Sequence, residues 1–290
     1  MSSEDPASPS PSPPFTPSGP GGFQRREIGV GGDEQVRQLT EILDLQAAQP
    51  SVMRLRDWVF DRLAPQPGET VLDVGAGTGD TVIRLAAAVG ADGRAIGVEP
   101  NPAMREVAAG RADTAGVTVE LLDGGAEELP LEDASVDLVT CERVLQHLED
   151  PDAAIREFAR VVRPGGRVVV IDSDWATSIV HPGDQDVLER YGAFILTQWP
   201  NPYAGRFLRG QLRAAGLDVD PDIGSSALVF PDAALRNGGM IGLSAPAAVA
   251  SGAVTPEEIA SLLDGIDAAL DRGDAFFSVT MFAVLGRHPG

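Results

Sequence analysis

The sequence predicts an α/β fold: a doubly wound parallel sheet with helices on both faces. Three observations point there. Short apolar runs alternate with helix-forming stretches along residues 71–174, the order that a parallel sheet with crossover helices requires. The first of those runs, Val71, Leu72 and Val74, suits a central strand buried on both faces. It ends in a glycine-rich turn, Gly75, Gly77 and Gly79, that opens directly into a helix.

Each element follows from local signals. Residues 1–22 are rich in Pro, Ser and Gly and almost free of apolar residues, so they read as a disordered tail ahead of a domain spanning 23–290. Residues 33–46 carry Val36, Leu39, Leu43 and Gln46 on one helical face. Pro50 separates this helix from a second at 51–64, with Ser51 as N-cap and a stripe of Val52, Leu55, Val59 and Leu63. The pair, 33–64, forms an N-terminal cap. Pro65, Pro67 and Gly68 then lead into the strand at 71–74.

Helices are expected near 79–89, 101–110 and 151–162, and strands near 94–98, 117–122, 136–142 and 167–174. Residues 184–216 look helical with a break at Trp199–Pro200–Asn201–Pro202, and 225–230 reads as a strand. The Ala-rich stretch 231–272 is too long for a plain connection and reads as a helical lid inserted near the substrate. A last strand covers 275–286.

Composition excludes several function classes. The formal charge is −21 and the pI near 4.4, which disfavours phosphate backbones and hence nucleic acid. All 22 basic residues are arginine. Without lysine there is no P-loop lysine, no Schiff base and no Tyr-x-x-x-Lys pair. The single cysteine, Cys141, rules out an intrachain disulfide and a cysteine zinc cluster, and no metal is expected. No basic, apolar leader and no bilayer-length apolar run are present, so a soluble cytoplasmic protein without membrane partners is the expectation. Self-association stays open.

The glycine turn limits what it can hold. GAGTGD puts Asp80 where a dinucleotide fingerprint has its third glycine. Asp73 adds a second acid just before the turn, so the site suits a ligand with a cationic end better than a diphosphate. Glu99 closes the second strand 24 residues past Gly75, where an acid can accept from two ribose hydroxyls.

VLDVGAGTGD, GVEPNPAM, GGAEELPLEDASVDLV, RVLQHLEDP and RVVRPGGRVVVID, in that order, resemble the class I S-adenosylmethionine-dependent methyltransferases. The resemblance is to the small-molecule branch that includes ubiquinone and menaquinone biosynthesis and natural-product enzymes. It covers about residues 50–175, and more loosely the rest to 290.

The resemblance implies a Rossmann-like, seven-stranded, mostly parallel sheet whose last strand, 275–286, runs antiparallel. It implies S-adenosylmethionine as cofactor and a small molecule as substrate. Asp73, Gly75, Ala76, Gly77, Thr78 and Gly79 would surround the methionine end, and Glu99 would bind the ribose. Pro100, Met104, Gly125, Ala126 and Glu127 would enclose the adenine, and Cys141 and Glu142 the methyl-bearing part. The family usually has an acid before the alanine of the adenine loop. Here Gly125 stands there, leaving Asp123, Glu127 or backbone groups to serve.

Transfer from a sulfonium mainly needs alignment, and a base only where the acceptor holds its proton near neutral pH. His147, just past the fourth strand, and Asp172, at the end of the fifth, are the candidate bases, with Asp174 and Glu142 behind them. His147 could equally cap or pack at a helix start. Trp175, His181, Tyr191, Trp199 and Tyr203, with Phe207, could wall an apolar or planar acceptor, or serve ordinary core packing. Arg54 or Arg56 could reach the cofactor's carboxylate. WPNPYAG at 199–205 follows the fifth strand rather than the fourth and lacks the second proline of the amino-nitrogen methyltransferase motif, so it reads as a helix break.

The sequence thus favours methyl transfer to oxygen or carbon of a small, partly apolar metabolite, more in secondary than in central metabolism, with nitrogen less favoured. A nicotinamide-dependent oxidoreductase and a non-catalytic S-adenosylmethionine-binding protein remain as alternatives.

Overall fold

The computed structural model describes residues 33–290. The Pro/Ser-rich tail at 1–22 lies outside the described residues, as do 23–32.

Two helices precede the sheet: α1 (Asp33–Ala47) and α2 (Pro50–Leu63). Gln49 is the N-cap of α2 and Pro50 its first residue, so Ser51 is buried within the first turn and not the cap expected from sequence. Proline fits there because the first helical N–H has no partner to lose. Then come β1 (Thr70–Val74), α3 (Asp80–Val89), β2 (Arg94–Val98), α4 (Pro102–Ala115), β3 (Glu120–Leu122), β4 (Val136–Glu142), α5 (Pro151–Val161) and β5 (Val162–His181). The second half holds α6 (Gln185–Leu196), α7 (Ala204–Ala214), β6 (Asp218–Val219), β7 (Gly224–Val229), α8 (Asp232–Leu235), α9 (Gly239–Ala250), α10 (Pro256–Arg272) and β8 (Phe276–Arg287).

The strand order is β3-β2-β1-β4-β5-β8, with β6 and β7 both pairing the far side of β8. β1 to β5 are parallel, and β8 runs antiparallel to β5. Asp218↔Arg287 and Gly224↔Ala283 place β6 and β7 along one line on β8. Among the described residues, eight strands therefore fill seven positions, with the outermost broken by the loop at 220–223.

Two apolar layers sandwich the sheet. Val71, Leu138 and Val169 meet α2, α3, α6, α9 and α10 on one face. Leu72, Val139 and Val170 meet α5 and α7 on the other. The alternation of a buried strand thus sends Thr140 and Glu142 to the first face and Cys141 to the second. Several boundaries differ from expectation: β3 begins at Glu120 rather than 117, and β5 at Val162 rather than 167. Gly116, left-handed at φ +69°, ends α4 only after Ala115. β5 runs past Asp174 and pairs β8 again at Ile179–His181 beyond an irregular stretch.

Candidate cofactor and acceptor site

The chemistry-bearing residues collect at the carboxyl ends of β1, β2, β4 and β5. The turn after β1 is tied to β2, because the N–H groups of Gly75 and Ala76 both donate to the Val98 carbonyl, at 2.8 and 3.1 Å. Gly75 sits at φ +74°, and a Cβ there would lie 2.3 Å from Val144 Cγ2, so only glycine lets the loop after β4 approach. At Gly77, φ +52°, the nearest atom to a built Cβ is 3.9 Å away, leaving open space on that side of the turn.

Glu99 is buried at the end of β2. Its Oε2 accepts from Gly77 N and its Oε1 from Asn101 N, each at 2.9 Å. Burial pushes its pKa up against those two donors. Asn101, fully buried, caps α4 by accepting from Ala103 N at 2.9 Å and Met104 N at 3.3 Å. Met104 is buried beside it, and Pro100 is half-buried. Arg105 donates to the Glu99 carbonyl and, at 3.2 Å, to Asp123 Oδ1. Asp123 is thus already ion-paired. Ala126 is buried, Gly125 has open space around it, and Glu127 is exposed.

Beside this cradle lies a cluster of charges. Asp73 is buried, and Thr140 Oγ1 donates to it at a long 3.5 Å. Burial, then repulsion from Glu142, raises its pKa to about 7. Arg56 grips Glu142 with two bonds of 2.7 and 3.1 Å and comes within 3.8 Å of Asp80. Arg143 Nε adds a contact to Glu142 at 3.2 Å and binds Gln46 of α1 at 2.6 Å. Arg56 and Arg143 together hold the Glu142 carboxyl below its ordinary range despite burial. Arg54, the other candidate, is exposed. A cavity of about 390 Å³ opens between α1, α2 and α3, with Asp44, Arg56, Asp80, Thr140, Glu142 and Ile171 in its wall.

Cys141 does not face this cavity. It is buried in the opposite apolar layer, and burial pushes its thiol well up, so only its backbone borders the cradle.

Beyond β4, a short 3₁₀ turn (Leu145–His147) crosses the end of β5. Asp172, expected as a base, is fully buried beneath it. Its carboxylate accepts from Ser173 N at 2.8 Å and Gln146 N at 3.2 Å. Burial raises its pKa to about 7, but these bonds make it an anchor for the turn and leave it no exposure to an acceptor. Asp174 is also buried and is paired with Arg206.

The expected aromatic wall divides. Trp175 and Trp199 stack at 4.6 Å, and His147 tilts against Trp199 at 5.3 Å. Tyr191 is turned to α9, its hydroxyl 2.9 Å from the Ile241 carbonyl and 2.6 Å from Ser244 Oγ. Tyr203 pairs instead with Phe207 and Arg206 at the start of α7. His181 is exposed at the far end of β5. Only Trp175 and Trp199 join His147.

The break between α6 and α7 does more than end a helix. Asn201 donates from its side chain to the Leu145 carbonyl and from its backbone to the Gln146 carbonyl, each at 3.2 Å, and Trp175 N donates to the Pro202 carbonyl at 2.8 Å. Sequence reading missed Asn101, Asn201, Gln146, Arg143 and Thr140. Asn101–Pro102 carried a readable cap signal; the others meet their partners only through the fold.

Residues 72–170 match a family described as a methyltransferase domain. A demethylmenaquinone methyltransferase of Bacillus mycoides is 31% identical over 173 residues, covering 59% of this chain and 72% of that protein. The chain belongs to the class I S-adenosylmethionine-dependent methyltransferases. A ubiquinone/menaquinone biosynthesis C-methyltransferase of Vibrio campbellii is 29% identical to this methyltransferase over 223 residues, 73% of this chain and 81% of that one. The solved structure of the YcgJ protein of Bacillus subtilis shares the fold, with a TM-score of 0.56 at 20% identity, over 82% of this chain and 99% of that chain.

S-adenosylmethionine is therefore the cofactor of this methyltransferase, and its site fits that molecule. A buried Asp73, raised to about 7 by burial and then by Glu142, suits an arriving cation, and Glu99 offers a carboxylate beside an open turn. The family sets aside the nicotinamide-dependent and non-catalytic alternatives. Among the described residues, no group of three or more His, Cys, Asp or Glu could hold a metal, and no helix is long and apolar enough to cross a membrane.

Proposed function

We propose that this methyltransferase methylates an oxygen or carbon of a small, partly apolar, planar metabolite, in secondary metabolism. The observation that carries the reading is the stack of Trp175 on Trp199 with His147 against it, an aromatic cluster with one polar ring near the ends of β4 and β5. The relatives named for ubiquinone and menaquinone biosynthesis, one of them a C-methyltransferase, support a ring-bearing acceptor and carbon as a target.

In this reading Glu99 binds the ribose, exchanging a backbone donor for hydroxyls. Gly75, Ala76, Gly77, Thr78 and Gly79 pass under the methionine end, and Asp73 faces its positive charge. Pro100, Met104 and Ala126 enclose the adenine, whose amine meets backbone groups because Asp123 is occupied by Arg105. Arg56 is the arginine within reach of the carboxylate. The bound cofactor supplies a methyl group on a sulfonium, already activated for displacement. The protein's own work is to align the acceptor, exclude water and, for a protic acceptor, offer the His147 imidazole as proton acceptor. α9 and α10 close the outer side as a wall fastened to α6, where Arg190 binds Glu258 at 2.7 Å.

The test is a panel of phenolic, quinol, enol and amine acceptors incubated with S-adenosylmethionine carrying a ¹³C methyl. A labelled methyl on oxygen or ring carbon supports the reading. Transfer only to amines contradicts it.

A further inference from the structure

Gln146 is buried, and its side-chain amide meets three groups. Trp175 Nε1–H donates to its side-chain oxygen at 2.8 Å. Its amide nitrogen lies 3.3 Å from the Arg143 carbonyl and 3.3 Å from Nε2 of His147. An indole N–H can only donate and a carbonyl can only accept, so two independent partners fix which end of the amide is which. A flipped amide would oppose two donors at Trp175 and two acceptors at Arg143. The amide nitrogen therefore faces the imidazole, and since it has no lone pair to offer, Nε2 of His147 must accept.

We propose that Gln146 is a positioning residue that holds His147 as the neutral tautomer protonated at Nδ1. Protonating Nε2 would set two donors against each other, so the same contact resists the imidazolium. This rests on the reading of His147 as part of the acceptor site and refines it: the ring that faces Trp199 is kept neutral, and a proton can reach Nε2 only when the Gln146 contact is given up. The charged groups around the turn are Asp172 from β5 below it, Glu142 and Arg143 at the end of β4 before it, and Glu149 and Asp150 after it. The packed α6–α7 break contributes Trp199, Pro200 and Asn201, none charged. Asp172 accepts from the backbone N–H groups of Gln146 and Ser173.

The chain has three histidines, so ¹⁵N-histidine labelling gives three rings, and His147→Ala assigns the one that matters. In the wild-type protein at pH 7 the ¹⁵N shifts of His147 should be those of a neutral ring with Nδ1 protonated. Gln146→Glu keeps an acceptor for Trp175 but turns a carboxylate towards Nε2, and should raise the His147 titration midpoint by at least one pH unit. An Nε2-protonated ring or an imidazolium in the wild type at pH 7 overturns the proposal. So does a folded Gln146→Glu protein with an unmoved midpoint. The wild-type measurement stands even where the variant does not fold. Adding S-adenosylhomocysteine separates the two levels: if His147 shifts do not respond, the siting of the acceptor near this ring fails, while the tautomer result is unaffected.

Discussion

Gly77 N–H donates to Glu99 Oε2 at 2.9 Å, joining the turn after β1 to the end of β2. With Asn101 N on the other oxygen, the carboxylate is oriented and desolvated by its own backbone. Such preorganisation leaves little rearrangement for a ligand to impose.

Asp73 gives the first prediction. Its folded pKa of about 7 stands above the ordinary carboxylate value of 3.8. Below pH 3.8 the acid is neutral in both states and costs nothing. As pH rises towards 7 the unfolded chain ionises first, so stability falls, and above 7 the whole penalty is in place. Asp73→Asn should therefore raise the melting temperature of the ligand-free protein at pH 8 and change it little at pH 4. The same variant should weaken S-adenosylmethionine at least tenfold, and wild-type binding should tighten from pH 6 to 8. Equal stability changes at both pH values would count against a buried charge at this position.

Gly75→Ala meets two penalties, a left-handed φ of +74° and the Val144 side chain. Together they should cost about 2–5 kcal/mol in urea denaturation. Adding Val144→Ala should recover the steric part and leave the backbone part. A single variant as stable as wild type would show that the β4 loop moves aside freely.

Arg56→Ala leaves buried Glu142 with Arg143 alone. The loss should be about 2 kcal/mol at pH 7. Because Glu142 is held below its ordinary pKa, its pairing stabilises at neutral pH and fades as the carboxyl protonates in acid. The difference between variant and wild type should thus shrink at pH 4. An equal difference at both pH values would point to lost packing of α2 instead.

Most of the fold was legible. Valine runs and the Gly75–Gly79 turn marked β1 to β5 because buried parallel strands and crossover helices write strong patterns. Glu99 could be placed from its distance to the turn. What escaped depends on tertiary closure. Asp172 looks like a base at a strand end until the turn at Leu145–His147 folds over it and takes its oxygens. Cys141 seems to border the ligand until the β4 alternation turns it to the other core. The aromatic residues after β5 form one cluster in sequence, yet Tyr191 answers to α9 and Tyr203 to Arg206. Asn201 in a helix break gave no hint that it clamps a loop 56 positions earlier.

The most direct measurement is a calorimetric titration of S-adenosylhomocysteine into wild-type and Glu99→Ala protein, with folding checked by circular dichroism. Wild type should bind one equivalent, and Glu99→Ala should bind at least tenfold more weakly, about 1.4 kcal/mol. Unchanged affinity in a folded Glu99→Ala protein, or wild type that takes up NADH and not S-adenosylhomocysteine, would contradict the account.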